Sequence, residues 1–196
     1  MSGAKSPPKA RTRTSGADIR PGLIAAGRRI LERSGPSGLT VRAVATEAGV
    51  APMGVYNHFD GKEGLLDALV TDGFADFARR VATTDADPAL RLRNSGRAYR
   101  EFALANPELY ALMFSSECEA DTETAADAFH VFAEVIRYGQ VAGVIMGGDP
   151  AGLAMQAWSC VHGAVSLELA GSAPPFLDAT ANYEHILDLI ARGLAA

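Results

Sequence analysis

Three sets of side chains in this 196-residue chain have the types that chemistry requires. Cys160 and His162 are a thiol and an imidazole, the kinds of group that make a nucleophile and its base. Asp127, His130 and Glu134 are ligand-type groups at helical spacing. The run from Pro52 to His58, Pro-Met-Gly-Val-Tyr-Asn-His, mixes small, polar and aromatic side chains of the kind that meet phosphate oxygens and base edges. A helix advances about 100° per residue, so Cys160 and His162 point to nearly opposite sides and make no dyad. Asp127, His130 and Glu134 do share a face, but no cysteine or second histidine stands near them. A solvated polar face accounts for them, and no metal site is expected. Glu117, Glu119, Asp121, Glu123 and Asp127 gather at a helix start, where the dipole favours acids. With no glycine-rich phosphate loop and no serine elbow, the chain is expected to be neither an enzyme nor a cofactor carrier.

The remaining set therefore needs the elements that would position it. Thr40 caps a short helix from Val41 to about Ala48, whose inner face is Val44 and Ala45. Gly49 supplies the positive φ of a tight turn, and Pro52 opens a second short helix that reaches Phe59. Val50, Val55 and Phe59 hold the second helix on the first. Pro52, Met53, Gly54, Tyr56, Asn57 and His58 are left facing outward. Two short helices around a glycine turn form a helix-turn-helix pattern, with the N-terminal half of the second free to enter a major groove.

Charge agrees with that placement. The chain carries a net −5, but residues 1–60 hold nine cations and four acids, for +5, and the remainder carries −10. A basic head on an acidic body suits a polyanion-binding module attached to a part with another task. Two cysteines are too few for a secreted disulfide scaffold, and the N-terminus lacks a signal-peptide core. The longest uncharged stretch, 150–167, contains Gln156, Ser159, His162 and Ser166, so a buried helix is expected there and no membrane span. A cytoplasmic protein is the expectation.

Periodicity makes the whole chain all-α, with about nine helices. Residues 1–17, without acids or apolar period, are expected to be a disordered basic arm. A helix starts at the Asp18 cap and stops at Ser34-Gly35-Pro36. Another is expected behind Asp60, with Glu63 completing a capping box. Helices follow over about 88–105, 107–115, 123–146, 150–171 and 180–194. This divides the chain into the arm, a helix-turn-helix head over 18–64, and a helical body over 65–196.

Leu39-Thr40-Val41-Arg42-x-Val44-Ala45-x-x-Ala48-Gly49-Val50, followed by Val55-Tyr56-x-His58-Phe59-x-x-Lys62-x-x-Leu65-Leu66, resembles the DNA-binding head of the tetracycline-repressor (TetR) family. The resemblance covers residues 19–70. It implies that Tyr56 and His58 lie against the phosphate backbone of double-stranded DNA, that Lys62 pairs a phosphate, and that Thr40 and Arg42 touch the backbone from the first helix. Met53, Gly54 and Asn57 would then face base edges. Ala51 stands where the family has serine or threonine, which removes an N-cap hydrogen bond of about 1 kcal/mol that Pro52 partly offsets.

For the body, the resemblance implies a ligand-sensing and dimerising domain. Ala154, Ala157, Val161 and Ala164 form a small-residue stripe, and Tyr183, Ile186, Leu187 and Ile190 an apolar seam, together suited to a four-helix homodimer interface. The other reading is that both pack inside one subunit. Trp158-x-x-x-His162-Gly163 and Asn106-Pro107-Glu108-Leu109-Tyr110 resemble one subfamily of such bodies, named for Trp-His-Gly. Phe102, Tyr110, Met113, Phe114, Phe129, Phe132, Trp158 and His162 are the candidate pocket for a small hydrophobic effector, unless these aromatics are simply core. The chain as a whole is expected to be a ligand-responsive regulator, most simply a repressor, that binds a palindromic operator as a homodimer. The alternative is a DNA-binding regulator with no small-molecule effector, governed by a protein partner or constitutive.

Overall fold

A computed structural model of the chain describes residues 16–115, 118 and 120–196, with side chains from Ile19 onward. The expected arm lies almost wholly outside the described residues, as do Glu117 and Glu119 of the acidic cluster. Among the described residues there are nine helices: α1 (Gly16–Gly38), α2 (Val41–Ala48), α3 (Pro52–Tyr56), α4 (Gly61–Val81), α5 (Pro88–Ala105), α6 (Pro107–Met113), α7 (Thr122–Val141), α8 (Pro150–Leu169) and α9 (Ala179–Gly193). The only β pairing among them is one isolated bridge, Ile145 to Ala195, which ties the chain end to the α7–α8 connection.

Local chemistry explains the boundaries. Thr40, Asp87, Asp121, Asp149 and Asp178 each accept first-turn amides at a helix start. Proline occupies the first position of α3, α5, α6 and α8, where its missing N–H costs nothing. Gly35 takes φ 65°, which breaks α1 where the Ser-Gly-Pro signal sits. Several features differ from the sequence reading. α1 begins at Gly16, before the Asp18 cap, and α3 ends at Tyr56, a turn short of Phe59. Asp60 makes no side-chain cap bond, so the capping box is not formed. α7 ends at Val141 rather than near 146, because Gly143 turns at φ 69° and Ile145 folds back onto Gly139.

Two apolar cores result. Leu23, Ile30, Leu39, Val44, Val55 and Leu65 pack together in the N-terminal part. Phe77, Tyr99, Phe102, Leu109, Ile136 and Leu187 belong to the second core, built from α4 to α9 with Leu31 of α1. The two meet inside α4, where Leu69 belongs to the first and Val70 to the second. Two polar straps tie α1 to the larger part. Arg28 pairs with Asp72 at 3.0 Å and Asp76 at 3.2 Å on α4. The Glu32 carboxylate accepts the Leu109 amide at 3.1 Å at the start of α6. Burial pushes the Asp76 carboxyl up, but hydrogen bonds from Arg28 and Arg80 outweigh it and hold the group below its ordinary value. No helix among the described residues is long and apolar enough to cross a membrane.

Candidate functional site

The α2–α3 turn is closed by backbone alone. Gly49 adopts φ 70°, its N–H donates to the Thr46 carbonyl at 3.1 Å, and the Val50 N–H donates to the Ala45 carbonyl at 2.9 Å. A methyl added at Gly49 would meet nothing within 4 Å, so the left-handed φ and not crowding demands glycine there. The Thr40 hydroxyl oxygen accepts the Ala43 amide at 3.1 Å, which fixes the start of α2. Fully buried Val55 locks α3 inward. That leaves Met53 66% and Tyr56 57% exposed on its outer side, with Pro52 and Asn57 also exposed and Gly54 half-buried. Ala51 caps nothing, as its side chain dictates. His58 is half-buried, tilted against Phe59.

The cations around this face are not equivalent. Arg29 and Arg33 both pair with Glu47, at 2.8 and 3.6 Å. Arg42 and Lys62 have no carboxylate partner among the described residues. Lys62 donates instead to the Pro36 carbonyl at 3.1 Å, holding its ammonium group across the loop that precedes α2. Arg20, which the sequence reading does not single out, lies 5.2 Å from the Phe59 ring centre and adds a cation beside the α3–α4 turn.

In the larger part, Phe74, Phe77, Phe114, Phe129, Phe132 and Trp158, with Ala125 and Ala128, line a cavity of about 190 Å³. The rings meet edge to face or tilted, with Phe74 5.7 Å and Trp158 5.9 Å from Phe114. Four of the eight expected pocket residues line it. Tyr110 and His162 stand behind it in a polar hub. Phe102 turns to Phe77 at 5.2 Å instead, and Met113 packs on Gly73 of α4. The hub's centre is Tyr99, which the sequence reading misses. Its hydroxyl lies 2.8 Å from both the Tyr110 hydroxyl and His162 Nδ1, and accepts the Trp158 Nε1 proton at 3.1 Å. Tyr110 is 2.9 Å from the same His162 nitrogen. Burial, with the Tyr110 hydroxyl beside it, pushes the Tyr99 hydroxyl far above its ordinary range, and burial holds His162 below its own, so the hub is uncharged near neutrality.

Comparison with known proteins decides the family. Residues 92–190, half the chain, match the model of the tetracyclin repressor-like C-terminal domain, and residues 23–69 match that of the bacterial regulatory proteins of the tetR family. The chain belongs to the TetR family. TetR-family proteins are bacterial helix-turn-helix regulators of transcription, and DNA-binding regulation is the coarse function that membership carries. It is 31% identical over 149 residues to an uncharacterized HTH-type transcriptional regulator of Mycobacterium tuberculosis, an alignment covering 72% of this chain and 66% of that one. A second regulator from that organism is 30% identical over 48% of this chain and 42% of its own length, so the chain spans less than two thirds of these curated relatives. Among solved structures, a protein with unknown function from Rhodococcus sp. RHA1 superposes with a TM-score of 0.81 at 28% identity, covering 96% of this chain and all (100%) of that one. Mycobacterium smegmatis BioQ gives 0.62 at 27% identity over 90% of this chain and 97% of its own.

In this TetR-family body, the helix faces expected at a dimer interface lie largely inside the subunit. Ala154, Val161, Tyr183, Leu187 and Ile190 are buried, while Ala157, Ala164 and Ile186 are half-buried against the same core. Ala154, Ala157, Val161, Leu187 and Ile190 line a small half-open cavity of about 30 Å³. The stripe keeps its expected period but forms the inward seam. Facing outward are Met155, Ser159, Gly163 and Leu167 of α8, at four-residue spacing. His185 and Leu189 of α9 and Phe176 of the connecting loop reach the surface as well.

Proposed function

We propose that this TetR-family chain is a ligand-responsive repressor that acts in the cytoplasm as a homodimer on a palindromic operator. The reading is carried by the outer side of α3. Met53 and Tyr56 stand in water beside Asn57, on a helix whose other side is fully buried, and Arg42, without a carboxylate partner among the described residues, lies on the neighbouring helix. A soluble domain exposes a Met–Tyr surface of this kind for a partner, and flanking cations choose an anionic one. Tyr56, His58, Lys62, Thr40 and Arg42 hold the phosphates, while Met53, Gly54 and Asn57 read base edges. The outward stripe of α8 and the exposed part of α9 pair with the same surfaces of a second copy, a two-fold arrangement that mirrors a palindrome.

Release follows from the cavity. Phe114, which lines it, caps α6; Tyr110 of α6 sits in the hub; and the start of α6 is held by Glu32 of α1. A small hydrophobic effector that binds better when α6 is displaced shifts the population away from the DNA-competent spacing of the heads. The test is selection from genomic fragments at fixed salt, wild type beside Tyr56→Ala, with the sedimentation coefficient of each measured. The expected result is a dimer in both cases and a two-fold-related site enriched by the wild type alone. Enrichment by neither protein, or equal enrichment by both, would overturn the reading.

A further inference from the structure

From the cavity's size and lining we infer that the effector is an uncharged, single-ring aromatic compound, an inference that rests on the effector reading above. Size sets the first limit. An apolar cavity of about 150 Å³ already holds benzene, whereas sites for drug-sized molecules run from about 300 to 1,000 Å³. The space inside this half-open pocket, about 190 Å³, has room for one substituted ring. Shape gives the second limit. The six aromatic residues that line it offer edges and faces to a ring at the spacings they already keep among themselves, 5.7 to 6.1 Å around Phe114 and Trp158.

Charge sets the third limit and excludes most alternatives. Every described lining residue is Phe, Ala or Trp, so no ionised group among them faces the cavity. The one polar atom among those side chains, Trp158 Nε1, already donates to Tyr99. Behind it the hydroxyls of Tyr99 and Tyr110 are engaged with each other and with His162, which burial keeps neutral. Arg97 and Arg100 of α5 do not line the cavity and are spent elsewhere, on Glu184 and Glu168. A carboxylate, sulfonate or ammonium ligand would enter unpaired and lose its hydration without replacement. An uncharged ring loses nothing of that kind.

Trp158 is the chain's only tryptophan, so its emission reports this cavity directly. The experiment titrates full-length protein at pH 7 with toluene and, separately, with benzoate, which keeps the ring and replaces methyl with a charge. Tryptophan emission and melting temperature are read, together with retention of the selected operator. Ala125→Leu, which fills the cavity from α7, is run in parallel. Toluene is expected to change Trp158 emission saturably and raise the melting temperature in the wild type, at least tenfold more weakly in Ala125→Leu. Benzoate is expected to do neither. Benzoate binding as well as or better than toluene overturns the inference, as does toluene binding unaltered by Ala125→Leu. Should that variant fail to fold, the toluene–benzoate comparison in the wild type decides alone. Toluene that binds while the operator stays bound upholds the cavity's ligand class and counts against effector control. A charged metabolite that releases the operator while toluene leaves Trp158 silent does the reverse.

Discussion

At Gly54 a methyl group would meet Val50 Cγ2 at 3.5 Å, an ordinary contact, so the protein itself does not require glycine there. If its role is to let α3 approach DNA closely, Gly54→Ala should stabilise the free protein by about 0.5–1 kcal/mol, through helix propensity, while weakening operator binding. Urea midpoints and binding isotherms check the two halves, and a more stable variant with unchanged affinity would remove Gly54 from the interface. His162 makes a second residue-scale prediction. Its folded pKa lies below the ordinary 6.5 because burial disfavours the imidazolium. As pH falls, the unfolded chain therefore takes up the proton first. The stability His162 contributes is complete above about pH 6.5 and is lost below it, down to the folded pKa. His162→Gln should flatten that part of the stability–pH curve; an unchanged slope would place the titration elsewhere. At this scale the head was legible, because cap, turn glycine and locking valine act over a few residues. Tyr99 was not, since its partners Tyr110, Trp158 and His162 lie 11 to 63 residues away and only packing brings them together.

Helix termini carry the next level. The Thr40 cap, the Pro52 start of α3 and the Gly35 break were legible, because each satisfies or removes groups within one turn. The expected Asp18 and Asp60 caps are not formed, whereas Asp87, Asp121, Asp149 and Asp178 cap other helices. The end of α7 was not legible. Val144 and Ile145 both donate their amides to the Gly139 carbonyl, and Ile145 packs where a Gly139 side chain would be, a tertiary fold-back that outcompetes further helix. The same reasoning explains α8 and α9, whose apolar period fixes a seam without saying whether it faces the subunit's own core or a second copy. The Glu32 strap was equally invisible, joining residues 77 apart. Glu32→Ala leaves the Leu109 amide without its acceptor and should destabilise the chain by about 1 kcal/mol. Glu32→Gln, which keeps a carbonyl oxygen, should restore most of it. A loss equal in both variants would mean that the charge, not the hydrogen bond, matters. If α6 transmits the effector's signal, Glu32→Ala should also blunt operator release without changing Trp158 emission on ligand binding.

On the proposed reading, one chain must meet three surfaces: its own core, a second copy and DNA. Leu167 is 58% exposed, on the outward stripe of α8. Leu167→Glu should therefore convert the dimer to a monomer in sedimentation while leaving the melting curve of the subunit nearly intact, and should abolish two-half-site binding. A dimer that survives this change lies on another face. On the same reading the N-terminal sixty residues, net +5 against −10 in the rest of the chain, meet the DNA, and salt should weaken every complex through the phosphate contacts.

On the proposed reading, Met53, Gly54 and Asn57 read sequence while Tyr56, Lys62 and Arg42 read only the backbone. The most direct measurement is affinity for the selected operator and for a random duplex, across a salt series, for wild type, Asn57→Ala and Lys62→Ala. Lys62→Ala should weaken both duplexes alike and reduce the salt slope by about one. Asn57→Ala should weaken the operator by about 1–3 kcal/mol and leave random DNA unchanged. Equal losses on both duplexes for Asn57→Ala would take base reading away from Asn57 and place it elsewhere on the head.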